Sequence, residues 1–262
     1  MKTRKRTRLT FSDKKLDFSI PLSWDELSQE ELRYITRIMN LFTPEGSQLV
    51  AFRRLTGMHF RFKDKEGNWH CSTKIGRQRI NFMLNEEEVN YGVGLLKWMR
   101  EPGQIPVRLD EIGRFQAVDA MLHDVPFADY LACENLYQGF AMTHKTEYIN
   151  QMAAILYRDK KDRHAEGIQC SEGEILAVFL WYAACKNLFA RQFPHLFRAP
   201  AEDEDMGEMS GQTDRMNAMI RALTGGDITK ENQVLEMDCW RALTELNEKA
   251  REAHEFKKKY AK

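Results

Sequence analysis

Residues 58–73, MHFRFKDKEGNWHCST, change the period of the chain. Before them, apolar residues recur every three or four positions. Here Met58, Phe60 and Phe62 alternate with His59, Arg61 and Lys63, and a polar turn containing Gly67 follows. Alternation by two suits a half-buried strand, whose successive side chains point to opposite faces. Pairing Phe62 with Trp69 sets Phe60 opposite Cys71 and Met58 opposite Thr73, with the apolar set on one face. A β-hairpin is therefore expected. Residues 78–84, QRINFML, can add a third strand.

Toward the N-terminus, LDFSI (16–20) alternates and reads as a short strand before Pro21, while residues 1–15 read as a flexible basic arm. SWDELSQEELRYITRIMNLF (23–42) contains two overlapping capping-box patterns, Ser23 to Glu26 and Ser28 to Glu31. Leu32, Ile35, Ile38, Met39 and Phe42 then mark one helical face. Thr43 and Pro44 open a second helix as N-cap and first residue, and Gly57 can stop it in the left-handed conformation. Beyond the hairpin, Asn85 caps a helix over EEEVNYGVGLLKWMR, closed by EPG.

From residue 105 onward the periodicity predicts helices only. Asp124 and Pro126 introduce FADYLACENLYQGFAM, and KTEYINQMAAILYR follows. A Ser171–Glu174 capping box opens EILAVFLWYAACKNLFARQF, the most apolar helix. Residues 199–211 read as an acidic loop, followed by DRMNAMIRALTGG, a turn through Thr229 and a charged terminal helix. No solenoid-type repeat is present. The expected fold is mainly α with a small antiparallel hairpin or three-stranded sheet. Its parts are an α+β region over 16–104, a helical region over 105–198 and C-terminal helices over 212–262.

Composition narrows the function. The 262 residues hold 43% hydrophobic and 30% charged side chains, which marks a soluble globular chain. Lys+Arg and Asp+Glu both total 39, so net charge gives no case for nucleic acid or membrane. The distribution is uneven: cations crowd residues 1–20, and Glu202, Asp203, Glu204, Asp205 and Glu208 crowd a short acidic run. Five scattered cysteines exclude CxxC chemistry and a disulfide framework. The longest apolar run is too short to span a bilayer and ends at Lys186. A cytoplasmic location is expected, with virion association as an extension of it.

Candidate chemistry is sparse. His59 and His70 fall on the polar face of the hairpin and Cys71 on the apolar one, so a shared metal is not expected. No GxSxG, HExxH, Walker-type or GxGxxG pattern occurs, and nothing joins His164 or His195 to Cys170 or Cys185. No enzyme activity and no cofactor are expected. The polar hairpin face offers a nucleic-acid alternative: Arg61, Lys63 and Lys74, with Arg77 and Arg79 beyond, can track a phosphate backbone. Met206, Met209, Met216 and Met219 cluster near the acidic loop, where core filling competes with an adaptable surface.

The terminal helix raises the question of partners. Cys239, Leu243, Leu246, Ala250, Ala253, Lys257 and Tyr260 follow steps of four and three, a heptad seam that seeks another helix. Each Leu replaced by Ala forgoes at least about 1 kcal/mol of burial. Trp240, Leu243 and Leu246 are therefore expected to dock the helix on the body, and its last two turns to project toward a partner. The contact set is Trp240, Leu243, Leu246, Ala250, Ala253 and Tyr260.

Capped helices, a small hairpin, an acidic loop and a charged terminal helix together resemble proteins of tailed bacteriophages and integrated prophages. Residues 216–256, MNAMIRALTGGDITKENQVLEMDCWRALTELNEKAREAHEF, bear the likeness. The style is that of tail-assembly chaperones and other accessory morphogenesis proteins. The resemblance implies a non-enzymatic protein that binds other structural or assembly proteins, with homo-oligomers among its states. It transfers no functional residue to this chain.

Overall fold

Local chemistry sets the first helices of the computed structural model, which describes residues 6–11, 16–198 and 212–260. The acidic loop at 199–211, with Met206 and Met209, lies outside the described residues, as do residues 1–5 and 12–15 of the basic arm. Described contacts divide the chain into two units. One runs to Leu109 and adds Ser171–Ala177; the other comprises Asp110–Cys170 and the chain from Val178 onward. The boundary expected after residue 104 thus falls after Leu109.

In the first unit, part of the expected flexible arm is a strand. β1 (Thr7–Phe11) pairs antiparallel with β2 (Leu16–Ile20), Leu9 opposite Phe18. Leu9, Phe11, Leu16 and Ile20 are buried. Arg8 and Thr10 both bond to Asp17 across the ladder. The basic run concealed the alternation that makes this strand. Ser23 makes no cap bond, and only a 3-10 turn forms at Trp24–Glu26. Ser28 does cap α1 (Gln29–Leu41), with both capping-box bonds to Glu31. α2 (Pro44–Thr56) starts at Thr43 as expected and ends at Gly57, with φ of 67°.

β3 (His59–Lys63), β4 (Trp69–Ile75) and β5 (Gln78–Leu84) form an antiparallel sheet in that order. Phe60 faces Cys71 as expected, but Phe62 pairs with His70 and Lys63 with Trp69. A bulge at Arg61 shifts the register by one residue, which exchanges the two faces beyond it. Asn85 caps α3 (Glu86–Gly94) with a full capping box, and Lys97–Arg100 continues as a 3-10 turn.

The second unit is not purely helical. β6 (Glu111–Ile112), β7 (Phe115–Ala117) and β8 (Tyr157–Arg158) form a three-stranded sheet, with Ile112 opposite Phe115 and Ala117 opposite Tyr157. Strands of two or three residues are too short to print a period on the sequence. α4 (Phe127–Thr143) packs on α5 (Thr146–Leu156). At that crossing Gly139 leaves no room for a Cβ against the ring of Tyr148.

α6 (Glu172–Gln192) is long and apolar enough by composition to cross a membrane. Its Trp181, Tyr182, Cys185 and Phe189 are nevertheless buried, and Lys186 pairs with Glu134. Those contacts belong to a core helix. α7 (Gln212–Thr224) stops at Gly225 and Gly226, both with positive φ. α8 (Glu231–Leu235) and α9 (Cys239–Tyr260) complete the unit.

Candidate functional site: the end of the last helix

α9 begins inside its unit and leaves it. The amide of Cys239 donates to the carbonyl of Val125 at 2.8 Å, and that of Phe127 to Met237 at 2.7 Å, pinning the helix start to the segment before α4. Trp240 Nε1 donates to the Met121 carbonyl at 2.7 Å. Its ring stacks on His123 at 4.6 Å and meets Phe189 and Phe193 edge-on at 5.4 and 5.5 Å. Leu243 and Leu246 are 0% and 4% exposed. Leu243 and Leu246 are therefore buried within the chain, while Trp240, half-buried, is held to the same body by its hydrogen bond and ring contacts. The two leucines pack within the chain and not on its surface, and all three residues belong to the docked half of the helix.

Burial fades along the seam as its side chains shrink. Ala250 is half-buried, and Ala253, Lys257 and Tyr260 are exposed. Every residue from Glu252 to Tyr260 is exposed. A straight helix lets a seven-residue seam drift by about 20° per heptad, so by Tyr260 the stripe has turned toward Phe256. The two rings, one helical turn apart, pack at 4.5 Å and are each 64% exposed. Heptad counting missed Phe256; its i, i+4 spacing with Tyr260 was the available signal. Lys257, Lys258 and Lys259 follow and suit the helix C-terminus electrostatically. None of the three has an acidic partner among the described residues. Arg251 bonds to Glu248 and Glu255, each at 2.8 Å, and supports helicity in the unpacked turns.

Asn247 shows why the helix leaves its unit here. Its buried Oδ1 accepts from the amides of His195 and Leu196 at 2.9 and 3.2 Å, closing the turn after α6. The last buried side chain of the helix is thus a polar clamp, and the two turns that follow it carry small and charged residues as far as Phe256. Sequence reading did not single it out.

The nucleic-acid alternative divides. Lys74 and Arg79 lie directly opposite each other on one exposed face, with Arg77 in the turn between their strands. Lys63 does not join them, because the bulge turns it toward Glu86, at 3.3 Å, and the ring of Trp69. Arg61 sits at the bulge and is exposed. Cys71 is buried, His59 is exposed and His70 stacks with Phe62, in keeping with opposite faces.

Groups with chemical potential elsewhere are engaged in structure. Asp129 accepts from Arg158 at 2.7 Å and meets His164 Nε2 at 3.0 Å; Glu134 accepts from Tyr182 Oη at 2.9 Å and Lys186 Nζ at 2.5 Å. Burial pushes the thiols of Cys71 and Cys239 up to about 11 and about 12, and that of Cys133 well above its ordinary value. Such thiols are not thiolates at neutral pH. A cavity of about 650 Å³ is lined by Arg33, Arg37 and Arg54 but also by Glu30, Glu172 and Glu174, so its charges balance. Among the described residues no group of three His, Cys, Asp or Glu side chains is placed to hold a metal. No family model, curated protein or solved structure matches the chain.

Proposed function

We propose that this chain is a non-enzymatic interaction component, an accessory protein of tailed-phage or prophage assembly working in the cytoplasm or on the assembling particle. The observation behind this reading is the division of α9: one half is clamped by Trp240, Leu243, Leu246 and Asn247, the other is exposed and ends in Phe256, Tyr260 and three lysines. A clamped base orients the free turns, so a partner meets a preformed helix and does not have to order it. The assembly context rests on the resemblance of residues 216–256.

The fitting partner is another structural or assembly protein with a shallow apolar groove and an acidic rim. Phe256 and Tyr260 one turn apart are the anchors of helix-in-groove recognition, and Lys257–Lys259 supply the charge. Burying what remains exposed of the two rings yields roughly 2–4 kcal/mol before the costs of association. That is a weak, reversible contact, suited to an assembly factor that releases its client or binds through several copies. Self-association through these turns alone is disfavoured, since a stable interface needs about 800 Å² per partner.

The double substitution Phe256→Asp, Tyr260→Asp tests the reading by size-exclusion chromatography with candidate phage structural and tail-assembly proteins. The variant is expected to stay folded, within about 0.5 kcal/mol of the parent, and to lose co-elution. Undiminished co-elution by a folded variant would refute the proposal.

A further inference from the structure

The bulge at Arg61 has a consequence independent of the terminal helix. Strict alternation would have put Phe62 on the half-buried side with Phe60; the register shift turns it to the opposite side, where it is 55% exposed. There its ring lies parallel to that of His70, at 4.3 Å and 15°. Asp64, whose carboxylate accepts from the amides of Glu66 and Asn68, meets His70 Nε2 at 3.2 Å and fixes that ring. A flat aromatic surface is thus held open to solvent.

On the same face, four residues along β4 and past the buried Ser72, Lys74 stands directly opposite Arg79. At about 3.3 Å per residue the cation pair lies about 13 Å from the stacked rings. Like charges directly across a ladder destabilise it, and Lys74, Arg77, Arg79 and Arg61 have no ion-pair partner among the described residues. A folded sheet bears this repulsion without internal compensation, as an anion-binding surface does.

We propose that the Phe62–His70 face of β3–β5 binds single-stranded nucleic acid, with a base stacking on Phe62 at one end and phosphates held by Lys74, Arg77 and Arg79 at the other. A backbone of repeated charges with flat bases matches cations beside a ring, because stacking tolerates any base and the cations read only phosphates. A duplex hides its base faces within the stack and cannot use Phe62. An acidic protein surface can satisfy the cations but has no need of an open ring.

Fluorescence anisotropy with the full chain and labelled oligo-dT and oligo-U 12-mers tests this, alongside a duplex of equal length, polyglutamate, and phosphatidylglycerol vesicles by flotation. Both single strands are expected to bind more tightly than the duplex. About three phosphate contacts predict a slope of log K against log salt near −2, at roughly −0.7 per contact. Phe62→Ala should weaken binding roughly 5- to 100-fold and leave the slope unchanged; Lys74→Gln with Arg79→Gln should cut the slope by about 1.4. Phe62→Leu, which keeps apolar bulk without the flat ring, should weaken binding in the same direction, and circular dichroism confirms that each variant folds. No binding at low salt, equal binding of the duplex, or polyglutamate or vesicles held as tightly and indifferently to Phe62 would each overturn the proposal.

Discussion

Ser72 sits at the centre of β4, fully buried, with no hydrogen-bond partner for its Oγ. A buried hydroxyl left unpaired carries a desolvation cost of about 1–3 kcal/mol, so removing it should help. Ser72→Ala is expected to raise the urea midpoint or leave it unchanged; a loss above about 1 kcal/mol would show that the hydroxyl is paired. Asp159 is the opposite case. Its carboxylate accepts from the Arg163 guanidinium and from the amides of Lys161 and Arg163, and these donors, the guanidinium first, hold it down at about 2. A folded-state value below the unfolded one, about 3.9, gives a contribution fully present above pH 4 and lost as pH falls through about 2. The Lys161 and Arg163 amide resonances should therefore titrate with a midpoint near 2. A midpoint near the unperturbed value would mean that the turn is open.

Elements were legible in proportion to how local their causes are. The caps at Ser28, Thr43 and Asn85 and the stop at Gly57 depend on residues three or four apart, and all four act as their chemistry dictates. The hairpin was legible as an element but not in register, because nothing within HFRFK signals which residue bulges. β6, β7 and β8 could not be read, since their pairing joins residues near 116 to residues near 158 and each strand is shorter than one detectable period. Contacts between elements were equally hidden. Gly92 of α3 faces Phe52 of α2 so closely that a Cβ would lie 2.5 Å from the ring, whereas Gly94, two residues on, faces open space. Phe52 is fully buried and has little room to yield. Gly92→Ala should cost about 1–3 kcal/mol by overpacking, and Gly94→Ala should be neutral or stabilise by up to about 0.5 kcal/mol. Equal effects in urea unfolding would mean that α2 and α3 are not in contact as described.

For the whole molecule, the terminal helix is where pattern and packing meet. Its seam was visible from Leu243 to Tyr260, and the decline in side-chain size along it foretold where burial ends. The partners of the docked half were not visible, because Met121, His123, Phe189 and Phe193 come from segments distant in the chain. Neither was the clamp at Asn247, a polar residue that pattern reading assigns to the surface. The expected contact set accordingly splits, with three members inside the unit and Ala250, Ala253 and Tyr260 toward or in solvent. Hydrogen–deuterium exchange on the full chain, alone and with a candidate phage structural protein, measures this division directly. Amides of residues 241–248 should be strongly protected in both states, and those of 253–260 should show the weaker protection of a solvated helix alone and gain protection on binding. Protection of 253–260 equal to that of 241–248 in the isolated chain, or a complex that leaves 253–260 unchanged while protecting another surface, would contradict the account.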